Sequence, residues 1–263
     1  MSLTLIGSLA LLGAIGGFAA GLLGFGGGVL MFPLLYYVPP ILGLDKIEAN
    51  TVASVVMTQV FFSTLAGGIA HLRSGRVHGR ISTTAGIVSA IGSFSGGVIS
   101  KWASERFLLV LFGGVTLIVI AMMLLRGPSK QQEEIALGRL RLPMLPLSVC
   151  SFITGIVIGF LGAGNFVFVP LLIYVLKVPT RVAIGSSLFI AMMNTAAGFL
   201  GKLVTGQIPI WTAATVTIGA IIGALVGEKI HGRLSVRMLR YIYAALVGLI
   251  AVRVWVTILG VGA

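Results

Sequence analysis

Two stretches of this sequence place unusual backbone chemistry inside apolar runs. "GLLGFGGGVLMFPLL" (21–35) carries Gly24, Gly26, Gly27 and Gly28 at its centre, and "GFLGAGNFVFVPLL" (159–172) carries Gly162 and Gly164, followed by Asn165 and Phe166. A helix restarting near Gly28, and another near Asn165, would present unpaired N–H groups and a partial positive charge, which suit an anion. Glycine tolerates unusual φ/ψ and lets a solute approach the main chain. The chemistry expected of Gly26, Gly27, Gly28, Gly164, Asn165 and Phe166 is therefore anion binding, with no bond made or broken. A polar set follows each break. "NTVAS" (50–54) and "AIGSS" (183–187) align Ser54 with Ser187, and Gln59 and Asn194 lie deeper in the same segments. Gln59 and Asn194 are the costliest of these to expose to lipid. They read as pathway-lining groups or as interhelical hydrogen-bond partners, the latter worth about 0.6 kcal/mol on average. The small hydroxyls read as packing groups, except Ser186 and Ser187, which directly follow a glycine.

Bond-making chemistry finds no footing. The sequence has no HExxH, no Ser–His–Asp set within an apolar segment and no lysine after the glycines to hold a phosphate. "GFGGGVL" lacks the preceding strand and following acid of a dinucleotide loop. His71, His78 and His231 fall in three separate loops, and Cys150 is the only cysteine. That count excludes an internal disulfide, an iron–sulfur cluster and a Cys-rich zinc site. No catalytic residue, metal or cofactor is expected. Asp45, Glu48, Glu105, Glu133, Glu134 and Glu228 all lie in loops or near segment ends. The buried carboxylate that marks many proton relays is missing, although Glu228, beside Lys229, comes nearest to one.

The elements that must hold these groups are membrane segments. Of 263 residues, 57% are hydrophobic and 9% charged, against about 25% charged in soluble domains. Mean hydropathy is +1.12. The first Lys or Arg is Lys46, so the basic start of a cleaved signal is absent and 3–23 reads as a retained membrane segment. The net charge of +12 comes from basic residues scattered through short loops. No domain gathers them to track phosphates, which argues against nucleic acid; orientation and attraction to anionic lipid headgroups account for the charge.

The chain also repeats itself. "GFGGGVLMFPLLYY" (24–37) aligns with "GAGNFVFVPLLIY" (162–174), setting Gly28 on Asn165 and Pro33 on Pro170. Further on, one offset of 131 links Gly67, Gly75, Gly92, Gly96, Ser104, Arg106 and Leu108 to Gly198, Gly206, Gly223, Gly227, Ser235, Arg237 and Leu239. Two homologous halves, 1–126 and 143–263, are joined by a polar cytoplasmic linker, 127–142. Expected segments are 3–23, 29–43, 48–72, 80–101 and 106–126, then 144–162, 166–176, 182–203, 209–229 and 237–258. The short second segment of each half cannot cross a core of about 30 Å upright. It is expected to be half of a broken helix or an arm of a re-entrant hairpin.

Loop charge orients the halves. If each Gly break joins an in-and-back pair, loops 73–80, 126–143, 177–181 and 229–240 share one side and carry 13 basic residues. The other side keeps only Lys46, Lys101, Arg106 and Lys202, with Arg253, inside the last segment, left out of the count. Counting each pair as a single crossing splits the charges 8 against 9. The positive-inside rule favours the first arrangement, which makes the halves inverted, with both termini external. Inverted repeats with interrupted helices are a recurring plan of secondary transporters. Gly13, Gly17 and Gly21, like Gly219, Gly223 and Gly227, recur every four residues and read as close helix packing. His71 and Lys202, matched across the halves, read as snorkelling interfacial residues.

The chain resembles the sulfite exporter TauE/SafE-like transporters over nearly all of its length. The resemblance rests on "GLLGFGGGVLMFPLL", "GFLGAGNFVFVPLLIYVLKVPTRVAIGSSL", and "HLRSGRV" with its partner "KLVTGQIPIW". It implies passage of small sulfur-containing anions such as sulfite or organosulfonates. The second half departs from the pattern: Gly-Asn-Phe replaces the Gly-rich run, and Lys202 stands where a His is expected. The two anion-facing ends are therefore expected to differ in shape and strength. The combined reading is an all-α polytopic protein of the cell membrane, built of two inverted-topology repeats of about five segments. It would export a small inorganic or organic sulfur anion, with membrane lipids and a homo-oligomer as its other partners and no role for nucleic acid. A passive anion channel and a non-transporting assembly factor are the alternatives.

Overall fold

The computed structural model describes residues 3–23, 28–72, 79–124, 144–176, 178, 180–231 and 236–260. Gly26, Gly27, His78 and the linker 127–142 lie outside them. The described residues form helices α1 (Leu3–Leu23), α2 (Gly28–Ile41), α3 (Ala49–Leu72), α4 (Gly79–Ile99) and α5 (Glu105–Leu124), with a 3₁₀ turn at Ser100–Trp102. After the linker come α6 (Met144–Leu161), α7 (Asn165–Pro170), α8 (Thr180–Val204), α9 (Ile210–His231) and α10 (Val236–Ile258). No strand occurs among the described residues. Each helix starts and stops close to the segment that hydropathy marks, because a run of apolar residues in lipid must satisfy its own backbone.

The shortest elements have local causes. α2 contains Pro33, Pro39 and Pro40, which remove three backbone donors. It closes in a turn where Gly43 takes φ +73 and Leu44 N donates to Pro39 O at 2.9 Å. α7 ends regular α-geometry at Pro170 and widens into a π-helical stretch, Leu171–Val175. There Leu176 N donates to Leu171 O at 3.0 Å. At 1.5 Å per residue, α2 spans only about 21 Å and α7 with its π extension about 16 Å. Neither crosses the hydrocarbon alone.

Among the described residues, four helical stretches are long and apolar enough to span a membrane: Ile81–Trp102, Glu105–Met122, Met144–Leu161 and Ile210–Gly227. Their outer faces expose Ile87 and Ile91, Leu117 and Ile118, Leu145 and Ile153, and Ile218 and Ile222. In water these would be an aggregation hazard; against lipid tails they are the expected surface. The protein is a multi-pass membrane protein.

Helix packing follows the small residues. α1 runs along α9, α6 along α4, α3 packs on α8 and α5 on α10. A Cβ on Gly17 would land on the backbone of Ala220, and one on Gly223 on that of Ala14. In the α4–α6 pair, a Cβ on Gly96 would meet Ile156 and one on Gly159 would meet Ser93. Without hydrophobic drive between helices in lipid, backbone approach supplies the van der Waals contact that holds them. The four-residue glycine spacing is thus explained by packing, as its sequence predicts.

Candidate anion site

The second break is built from two glycines that no other residue could replace cheaply. α6 ends at Leu161, and Gly162 and Gly164 follow at φ +68 and +151. Both angles belong to conformations that side-chain-bearing residues avoid. The turn is anchored by Gly162 N donating to Ile158 O and Val167 N donating to Gly164 O, each at 2.8 Å. A Cβ on Gly162 would strike the Ala53 carbonyl and stand 2.7 Å from Met57 N. The break is therefore pressed against α3.

The start of α2 meets the second break. A Cβ added at Gly28, the first residue of α2, would stand 3.1 Å from both Cα and Cβ of Ala163 and 3.2 Å from Val60 Cγ2. Positions 28 and 163 face each other, with Ala53, Met57 and Val60 of α3 alongside both. Asn165 opens α7 with its backbone, and Gly164 is buried. Phe166 is 2% exposed, its ring packed in the larger apolar core with Val29, Phe32 and Phe112. Only its main chain is left to face the break.

The polar set divides. Ser54 is buried and donates to Asn50 O at 2.8 Å, and Thr58 donates to Ser54 O at 2.9 Å. These bonds run back along their own helix, as small hydroxyls do when they serve packing. Ser186 and Ser187 are buried in the first turns of α8. Gln59 is fully buried, with Nε2 donating to Ser63 Oγ at 3.0 Å. Its Oε1 has no hydrogen-bond partner among the described residues. Asn194 is fully buried, and neither Nδ2 nor Oδ1 has a partner among the described residues. Next to it, Thr195 Oγ1 lies 3.0 Å from Thr64 Oγ1 across the α3–α8 contact. Interhelical hydrogen bonding therefore explains Thr64 and Thr195, and leaves Asn194 unexplained.

One expectation is corrected. Lys202 does not snorkel: it is 0% exposed. Its Nζ donates to Ser100 Oγ at 2.7 Å and approaches Phe160 O, in the last turn of α6, at 3.5 Å. The cause is glycine at the α4–α8 seam. A Cβ on Gly201 would stand 2.7 Å from Phe94 O, and one on Gly97 2.9 Å from Gly198 O. The two helices come so close that the lysine stem is covered before it can reach water. Gly198 and Gly201, three residues apart and just ahead of the lysine, were the signal available for this.

On another face, Lys46 Nζ pairs with Glu105 Oε1 at 2.9 Å, and Tyr36 Oη donates to the same oxygen at 2.7 Å. The hydrogen bond to Glu105 holds the Lys46 ammonium above its ordinary range. A raised lysine value means that the lysine's share of the pair is fully present below the unfolded lysine pKa and is lost as pH rises through the folded one, while on the acid side the pair is lost when Glu105 takes a proton. Its contribution is flat through neutral pH and, being largely exposed, at most about 1 kcal/mol.

Compared with known proteins, residues 9–254 match the family described as "Sulfite exporter TauE/SafE". A "Probable membrane transporter protein" of Xylella fastidiosa (strain Temecula1) is 34% identical over 234 residues, covering 85% of this chain and 84% of that protein. One of Methanocaldococcus jannaschii is 25% identical over 257 residues, covering 94% of each. A third, of Bacillus subtilis, is 22% identical over 244 residues, covering 87% of this chain and 89% of the relative. No solved structure matches the chain.

Proposed function

The chain belongs to the sulfite exporter TauE/SafE family of membrane transporters, and from that premise we propose that it is a secondary transporter exporting a small sulfur oxyanion, sulfite or an organosulfonate. The observation that carries this reading is the meeting of the first residue of α2 with the second break, Gly28 against Ala163. Non-helical backbone at membrane depth is tolerated where protein or a water-filled cavity satisfies it. Two helix starts converging from opposite ends of the chain would form one positive cradle. Gly26, Gly27, Gly28, Gly164, Asn165 and the Phe166 main chain would line it, with Ser54, Gln59, Ser186, Ser187 and Asn194 on the flanking helices.

The packing supports two halves related by a two-fold, and loop charge makes them inverted in this reading. Exchanging the halves turns the α1–α9 contact into the α6–α4 contact and returns α3–α8 and α5–α10 to themselves. A two-fold relation requires that pattern, and Thr64 and Thr195, related by the repeat offset, meet where such an axis would cross. The expected topology places loops 73–80 and 229–240 in the cytoplasm and both termini outside. Reporter fusions at the two loops should give the same sidedness; opposite sidedness would rule out inverted halves.

Function is tested on the purified protein. Binding of sulfite, thiosulfate, sulfoacetate, taurine and sulfate is measured by calorimetry, and uptake into proteoliposomes follows for those that bind. Saturable uptake of a sulfur oxyanion, with accumulation against its gradient, is the expected result. Flux that never saturates would make the protein a channel, and binding of none of the five would remove the sulfur-anion assignment.

A further inference from the structure

The buried lysine at the end of α8 has no counter-charge among the described residues. Among the described residues the one ion pair is Lys46–Glu105, and the hydrogen-bond partners of Lys202 Nζ are neutral, Ser100 Oγ and Phe160 O. An ammonium has three protons to place; two are accounted for. A buried cation without a partner costs several kcal/mol even after relaxation. The carbonyl end of α6 offsets only part of that, since a helix terminus is worth at most about 2 kcal/mol.

The surroundings hold the charge in place. Ser100 Oγ, which accepts from Lys202, lies 2.7 Å from Gly97 O and 3.0 Å from Gln207 Oε1. Gln207 Nε2 donates to Gly97 O at 2.8 Å and to Thr205 Oγ1 at 2.6 Å, while Gln207 N donates to Lys202 O at 3.0 Å. Gly206, at φ +69, turns the chain so that Gln207 folds back beneath the lysine. Phe160 stands two residues before Gly162, so the ammonium sits at the rim of the second break.

We propose that Lys202 is the fixed positive charge with which the transported anion pairs at the second break, and that Ser100 and Gln207 are its positioning residues. The inference rests on the anion-transport reading above and adds to it the residue that recognises charge. An arriving oxyanion would accept a hydrogen bond from the third ammonium N–H and supply the missing counter-charge. The competing role is a strap that caps α6 and ties it to α4 and α8, which needs no anion.

Calorimetry with sulfoacetate and sulfite on wild type, Lys202→Met and Lys202→Arg in nanodiscs separates the two. A charge-assisted contact of this kind predicts affinity falling about 10- to 100-fold in Lys202→Met. The anion should also no longer raise the thermal midpoint of that variant, while Lys202→Arg stays close to wild type. Equal affinity in wild type and Lys202→Met, with a lowered midpoint, makes Lys202 a strap and overturns this inference alone. No binding by wild type overturns the anion reading and the inference together. Should Lys202→Met not reach the membrane, Ser100→Ala takes its place. Loss of the 2.7 Å partner should weaken sulfoacetate binding several-fold, and unchanged affinity overturns the proposal.

Discussion

Asn194→Leu is expected to raise the thermal stability of the protein and to remove most of its transport. The side chain is fully buried, and both polar atoms lack partners among the described residues. An unsatisfied buried polar group costs about 1–3 kcal/mol, and replacing it by an apolar group of similar size removes that cost. Since 1 kcal/mol shifts the midpoint of a protein of this size by about 2–4 °C, an increase of several degrees should follow. A residue that destabilises the resting fold is what a binding group looks like before its ligand arrives. Uptake of labelled sulfoacetate into proteoliposomes should drop at least tenfold, or about 1.4 kcal/mol. Normal uptake by a stabilised variant would remove Asn194 from the site.

Gly162→Ala is expected to be the most damaging single-methyl change among the described glycines. Two independent penalties meet there. At φ +68 an alanine is strained, at a cost of order 1–3 kcal/mol. The new Cβ also overlaps the Ala53 carbonyl and crowds Met57 N, and overpacking adds about 1–3 kcal/mol. The neighbours are backbone atoms of α3 and cannot rotate aside. The variant should show a thermal midpoint lower by many degrees, or fail to accumulate in the membrane. Gly206→Ala is the control, because it shares the positive φ, at +69, but has open space around it. Equal loss in both would mean that strain alone matters and that the press of the break against α3 does not.

Much of the fold was legible in the residues. Helix positions, the polytopic membrane class and the family follow from hydropathy, proline and glycine placement and paired motifs, all properties of local stretches of chain. The glycine ladders of α1 and α9 were legible for the same reason: a four-residue period defines one helix face whichever helix comes to meet it. The shortness of α2 and α7 was also visible, because prolines and flanking glycines bound them.

What the sequence could not decide is where distant surfaces meet. That Gly28 faces Ala163 depends on how α2, α3 and the α6–α7 turn stack. Nothing in either motif specifies that distance. That Asn194 has no partner among the described residues while Thr195 beside it has one depends on a rotation of α8 against α3 by a single residue. Lys202 shows the point most clearly. By sequence it is a cation near a helix end, free to reach water, and only the close approach of α4 and α8 across Gly97, Gly198 and Gly201 closes the route. Hydropathy is additive along the chain. Burial is set by the nearest neighbour in space, which for Lys202 is a serine 102 residues away.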